Sequence, residues 1–538
     1  MSTVPATRAA HWTALATHGE PFDVLVVGGG ATGAGTALDA VARGLKVALV
    51  ERDDLAAATS SRSTKLIHGG VRYLEKAVKE FDRSQFHLVR DALRERAVLI
   101  RNAPHLCHPL PLVTPLYDWW QVPYYLAGLK LYDALAGRAN LAPSRFVDAR
   151  EALQRFPMLR EEGLRGGVVY HDGQFDDARM NVAIALSAIE RGAVVATHAE
   201  VVALRHEHGR VRGAVVRDVF AGHEVEVRAR AVVNATGPFV DELRRLDDPS
   251  IEPMLDASSG VHVVLDARFA PPGTGLLIPQ TEDGRVLFLL PWQGATLVGT
   301  TDQPAEIERH PRATEDEIAY ILRHVRTYFA SPVTREDVRA AWSGLRPLVS
   351  DPKAADTARL SRDHVVHVSG TGLVTIAGGK WTTYRRMAAD AVDAAAVVAD
   401  LATGPSLTED LRLAGAERLL PSGAGALQER GFPAGVARHL HLAYGDRAAA
   451  VADLAGGGDA PRLTAGYPYL EAEVTHAARA ELAATTIDVL ARRTRLAMLD
   501  AAAARAAAPR VTDLLAEELG WDLARRSAET EAARDWVS

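Results

Sequence analysis

Residues 23–51, DVLVVGGGATGAGTALDAVARGLKVALVE, spell one complete strand–helix–strand unit. Val24 to Val27 form an unbroken apolar run, the pattern of a strand covered on both faces. It runs into Gly28, Gly30 and Gly33 in G-x-G-x-x-G spacing. In that pattern the first glycine turns the chain, the second lets backbone approach a pyrophosphate, and the third lets helix pack on strand. The helix start offers free N–H groups and the positive end of its dipole to phosphates. Gly44 suits the helix C-cap, Val47 to Val50 make the second strand, and Glu51 ends it. An acidic side chain there accepts hydrogen bonds from ribose hydroxyls. The unit predicts a bound adenine dinucleotide.

The motif alone does not separate NAD from FAD; the residues that follow do. Thr59 to Lys65 is small and polar and leads to Leu66-Ile67-His68-Gly69-Gly70, a segment suited to lie along an extended cofactor. Ser60, Ser61, Thr64, Lys65, His68 and Gly69 are its candidate cofactor contacts. Two more strand-to-glycine turns follow far downstream, at Val232 to Gly237 and at Val374 to Lys380. They add Thr236, Gly237, Gly379, Lys380 and Thr382. Three such turns, with long insertions between them, describe an FAD domain discontinuous in sequence. FAD is the expected cofactor. No cysteine stands near these turns, so a non-covalent link is expected.

At this point the residues resemble a family. Ser60–Leu74 (SSRSTKLIHGGVRYL), Asn234–Pro238 (NATGP), Gly299–Asp302 (GTTD), Trp342–Leu348 (WSGLRPL) and Gly378–Arg385 (GGKWTTYR) are similar to FAD-dependent glycerol-3-phosphate dehydrogenases. The similarity runs from about Phe22 to the C-terminal helices, and Tyr117–Tyr125 and Tyr170–Gln174 resemble the mitochondrial branch. That branch continues into calcium-binding EF-hands. This sequence contains no D-x-D-x-D-G loop, so direct calcium activation is not expected. The resemblance implies oxidation of sn-glycerol 3-phosphate to dihydroxyacetone phosphate, with electrons passed to a membrane quinone. An oxygen-using oxidase and a non-enzymatic FAD-binding redox sensor are the alternatives.

Phosphate recognition favours the planar fork of Arg or the point charge of Lys. Arg72, Arg346, Arg362 and Lys380 carry motif support, and Tyr73 adds a hydroxyl. His262, on a strand of the expected inner sheet, is a candidate to accept or relay the alcohol proton, although a histidine on an apolar strand is as readily a core residue. Arg62 and Lys65 could pair with FAD phosphates or face solvent. The identity of the base stays open.

Composition excludes several classes. A chain of 538 residues exceeds one core. With 48% hydrophobic and 24% charged residues it folds, and its net charge of −7 argues against nucleic acid as a partner. Cys107 is the only cysteine, which rules out an intrachain disulfide and a cysteine-based metal site; no metal is expected. No secretory leader or spanning apolar run is visible. The expected location is cytoplasmic, peripherally attached to the inner face of the cytoplasmic membrane, with Trp119 to Tyr132 as the candidate membrane-facing element. A homodimer stays open.

The expected fold class is α/β: a Rossmann-like FAD domain interleaved with an antiparallel-sheet substrate domain, plus a C-terminal all-α domain. Residues 22–400 make the oxidoreductase module and 405–538 a separate helical domain. Glu75 to Asn102 and Thr314 to Phe329 read as helices, and Val261 to Thr301 as successive strands. Gly166 to Tyr170 and Ala341 to Lys380 are assigned to the FAD domain.

Overall fold

The computed structural model describes residues 5–70, 83–350 and 364–537. The apolar run at the N-terminus becomes the strand Phe22–Val27, the middle of a sheet whose parallel core also contains Val47–Val50, Val194–Ala196, Glu224–Asn234 and Val374–Gly378. Its side chains are buried on both faces because helices cover one and a small β-meander the other. The helices Ala31–Ala42, Asp177–Ile189 and Tyr384–Ala399 pack on the first face. The alanines and glycines of Ala31–Ala42 allow that close approach; a Cβ on Gly35 would lie 2.7 Å from the Tyr384 ring.

The second sheet is mostly antiparallel and has its edge at Gln303–Ala305. Leu255–Asp266, Gly275–Ile278, Leu287–Trp292 and Ala295–Gly299 match the strands expected from the sequence. The helix Glu315–Tyr328 begins at a capping box, Thr314 with Glu317, and backs this sheet.

Two expected assignments are corrected. Gly166–Phe175 pairs along its whole length with Cys107–Leu116, in the second sheet and not in the FAD sheet. Val338–Val349 likewise runs beside Leu255–Asp266, from Leu255 opposite Val349 to Leu265 opposite Val338. An apolar run shows that a strand is buried; it does not say which sheet supplies its neighbour. Among the described residues of that stretch, the part from His364–Val368 onward belongs to the FAD sheet. Of the expected helix Glu75–Asn102, the part Arg83–Asn102 is helical, and residues 75–82 lie outside the described residues.

The helices after Pro405 include Ala434–Tyr444, Glu471–Ala480, Ala501–Leu519 and Leu523–Val537. They form the expected C-terminal all-α domain, which packs on the second sheet. One continuous core joins Leu290, Trp292 and Trp342 of the second sheet to Leu490, Met498 and Leu515. Between Ala480 and Ala501 the chain makes a π-helical segment, Asp488–Arg493, and one short α-helix, Leu496–Leu499, and Arg492, Arg493 and Arg495 in this stretch are buried.

Candidate active site

The two sheets meet over a cavity of about 1040 Å³. At one end Gly28 takes φ +112°, and a Cβ there would lie 2.5 Å from the Ala235 carbonyl oxygen. Gly33 does not line the cavity; a Cβ on it would fall 1.8 Å from the Gly28 carbonyl oxygen, so it serves helix–strand packing. Gly30 caps the helix Ala31–Ala42, and the Ala31 N–H donates to Ser60 Oγ at 2.9 Å. Glu51 accepts the Gly29 N–H at 2.5 Å and the Asp53 N–H at 2.8 Å. Burial, with Asp53 adding to it, pushes the Glu51 carboxyl up to about 7. A glycine cradle at a helix start with a buried carboxyl beyond the next strand fits an adenine dinucleotide. Thr236, Gly237, Gly379 and Thr382 continue the same lining.

At the other end are His262 and Arg346. His262 stacks on Trp342, with ring centroids 4.3 Å apart, and its Nε2 lies 2.9 Å from Thr64 Oγ1. Gly299 leaves it room, since a Cβ there would lie 2.3 Å from the imidazole. Burial, then the positive charges of Lys65 and Arg346, hold its pKa well below the usual histidine value, so the ring is neutral. Arg346 is fixed by its own neighbours. Nη1 donates to the Ser259 carbonyl at 3.0 Å and Ser258 Oγ at 3.2 Å, and sits 3.3 Å from Asp302 Oδ1. Nη2 donates to Thr300 Oγ1 and the Thr301 carbonyl, both at 3.1 Å. Gly260 makes space for the guanidinium, which lies 2.4 Å from where its Cβ would be. Lys380 and His68 also line the cavity.

Arg72, Tyr73 and Arg362 lie outside the described residues. Three candidate cofactor contacts sit behind the cavity wall instead of on it. Lys65 is fully buried, 2.7 Å from Asp177 Oδ2 and 4.6 Å from the centre of the Trp342 ring, so it neither faces solvent nor reaches the lining. The Ser61 carbonyl accepts from Lys65 Nζ at 2.8 Å. Gly69 donates its N–H to Tyr132 Oη at 2.7 Å. In each case the alternation of a tight polar loop puts neighbours on opposite sides, which a motif does not display. Arg62 is buried but does line the cavity, donating to the Ser343 carbonyl at 3.3 Å. Asp177 and Arg495, which hold the loop from behind, escaped the sequence reading. The one signal was Arg492-Arg493-Thr494-Arg495, a cluster of arginines in an alanine-rich stretch.

Comparison with known proteins adds to this geometry. A family described as FAD dependent oxidoreductase matches residues 23–385, and one described as the C-terminal domain of alpha-glycerophosphate oxidase matches residues 406–526. The mitochondrial glycerol-3-phosphate dehydrogenase of Mus musculus is 50% identical over 98% of this chain and 75% of its own length. The mitochondrial enzyme of Arabidopsis thaliana is 48% identical over 100% of this chain and 89% of its own. Among solved structures, the glycerol-3-phosphate dehydrogenase of Bacillus halodurans complexed with FAD superposes with a TM-score of 0.80 at 30% identity, covering 99% of this chain and 98% of that one. An L-alpha-glycerophosphate oxidase from Mycoplasma pneumoniae shares the fold, with a TM-score of 0.55 at 18% identity over 72% of this chain and 97% of that one.

Proposed function

From the FAD-dependent glycerol-3-phosphate dehydrogenases, the family to which this chain belongs, we infer that it oxidises sn-glycerol 3-phosphate to dihydroxyacetone phosphate and passes the electrons to a membrane quinone. The observation that carries the reading is one cavity holding a dinucleotide cradle at one end and a fixed guanidinium beside a neutral imidazole at the other. FAD, when bound, supplies the hydride acceptor. Arg346, with Lys380, grips the phosphate dianion, and Arg72, Tyr73 and Arg362 are assigned to the same task from the sequence. His262 takes or relays the proton of the C2 hydroxyl as the hydride leaves C2 and the carbonyl forms. Burial and the cations around His262 disfavour a charged ring. A bound dianion offsets those cations and raises the affinity of the imidazole for that proton.

The electrons must then reach a quinone in a bilayer. Among the described residues no helix is long and apolar enough to cross a membrane. Trp119 and Trp120 are 63% and 65% exposed, Tyr124 is 42% exposed, and all three gather where the helix Gln121–Ala136 begins. Such rings favour the headgroup level, which supports peripheral docking of this corner on the inner face of the cytoplasmic membrane. The test is anaerobic addition of sn-glycerol 3-phosphate to the FAD-loaded protein. Bleaching of the flavin followed by reoxidation faster with a soluble quinone than with oxygen is expected. An unbleached flavin rejects the dehydrogenase reading, and faster reoxidation by oxygen favours the oxidase.

A further inference from the structure

The carboxylate of Asp177 gathers more partners than any motif suggests. It opens the helix Asp177–Ile189, and its Oδ2 accepts the Ser63 N–H at 3.0 Å, the Ser63 hydroxyl at 2.8 Å and Lys65 Nζ at 2.7 Å. Its Oδ1 accepts Arg495 Nη2 at 3.0 Å, and the same Nη2 donates to the Ser61 carbonyl at 2.7 Å. Arg495 Nη1 is anchored on the Ala491 carbonyl at 2.7 Å. The charged groups Lys65, Asp177 and Arg495 are all buried, where a lost partner leaves a charge uncompensated. Lys65 and Arg495 both hold left-handed backbone, at φ +64° and +67°, a conformation that persists only where the surroundings impose it.

The bonds that reach the loop end on residues 61, 63 and 65, and Thr64 stands between the last two. Its hydroxyl meets His262 Nε2 at 2.9 Å on the cavity side. A loop clamped behind residues 63 and 65 presents the side chain of 64 in one orientation only. We propose that Arg495 is a positioning residue: through Asp177 it fixes the 61–65 loop, and so sets the Thr64 hydroxyl against the imidazole of His262. The C-terminal helical region thereby completes the reacting end of a cavity that it does not line. This rests on the reading of that end as the place of glycerol 3-phosphate oxidation.

The test uses FAD-loaded protein with 15N-labelled histidine, the His262 signals being assigned by their loss in His262→Asn. Arg495→Met is expected to move those signals as Thr64→Val does, and to slow anaerobic flavin reduction about 100-fold with little change in the half-saturating substrate concentration. Arg495→Lys should recover part of both. Adding Arg495→Met to Thr64→Val should slow reduction no further. Unmoved His262 signals, or losses that multiply in the double variant, overturn the proposal. Should Arg495→Met fail to hold FAD, Arg495→Lys and the isosteric Asp177→Asn are judged by the same signals and the same double-variant comparison. If the unaltered protein is not reduced by glycerol 3-phosphate, the functional reading falls, while the imidazole signals still decide for or against the clamp.

Discussion

The Thr64 hydroxyl and Nε2 of His262 lie 2.9 Å apart although 198 residues of chain separate them. The imidazole is held between that hydroxyl and the face of Trp342, in surroundings that keep it neutral.

His262→Asn should therefore slow flavin reduction by glycerol 3-phosphate by about 100- to 10,000-fold while FAD stays bound, the range typical of a lost acid–base group. Because burial lowers the pKa of this histidine, the ring is neutral both at and above the ordinary histidine value. In the free enzyme, kcat/KM should show no step from His262 between about pH 6 and 8. A step in that range that disappears in His262→Asn would contradict the assignment.

Arg346 is the second target. Removing one charge-assisted contact to a dianion costs about 3 kcal/mol, or about two decades in kcat/KM. Arg346→Ala should show that loss with FAD content unchanged, and Lys380→Ala a similar one. The Arg346 guanidinium already has Asp302 at 3.3 Å, so Arg346→Ala also removes that ion pair; Arg346→Lys separates the two effects. Normal kinetics in Arg346→Ala and Lys380→Ala would remove phosphate recognition from this end of the cavity.

Glu51 gives a pH dependence to cofactor binding. Its carboxyl, raised to about 7 by burial, carries a proton below that pH in the cofactor-free protein. Ribose hydroxyls that donate to it favour the ionised form, so binding expels the proton. Affinity for FAD should be full above about pH 7 and fall about tenfold per unit below it, until the pKa of the bound state is reached. Titrations of apoprotein with FAD across this range would show the slope, and Glu51→Gln should abolish it. An affinity indifferent to pH in the unaltered protein would mean that Glu51 does not meet the ribose.

How far the sequence could be read depends on the span of the interaction. The glycine cradle and Glu51 were legible because strand, turn, helix and acid are consecutive, and each residue type has one steric or electrostatic reason to be there. His262 was legible as a residue but not as a pair, since its partner lies on another segment. The strand Cys107–Leu116 went unnoticed because Pro109, Pro111 and Pro115 argue against a strand interior. Their shared parity places the missing N–H groups along one side of the strand. Asp177 and Arg495 were out of reach: the arginine cluster at 492–495 does not by itself tell a buried clamp from surface helix charge.

The exposed aromatics at the start of the helix Gln121–Ala136 should govern attachment to lipid. Replacing Trp119 and Tyr124 together by Ala should reduce sedimentation with liposomes while leaving reduction by substrate intact. Because the net charge is −7, attachment should weaken with the anionic lipid content unless Lys130 and its neighbours face the bilayer. Undiminished sedimentation of the double variant would move the docking surface elsewhere.

The bond from Arg495 to the Ser61 carbonyl spans 434 residues, so it also sets an order of events during synthesis. A ribosome adding about 5–20 residues each second needs tens of seconds to travel from Ser61 to Arg495, and all that time the loop beside the dinucleotide site lacks its clamp. Competence for fast reduction thus becomes the last act of manufacture, whether or not the cofactor is already in place. Nascent chains stalled short of Arg495 and loaded with FAD should be reduced by glycerol 3-phosphate far more slowly than released full-length chains.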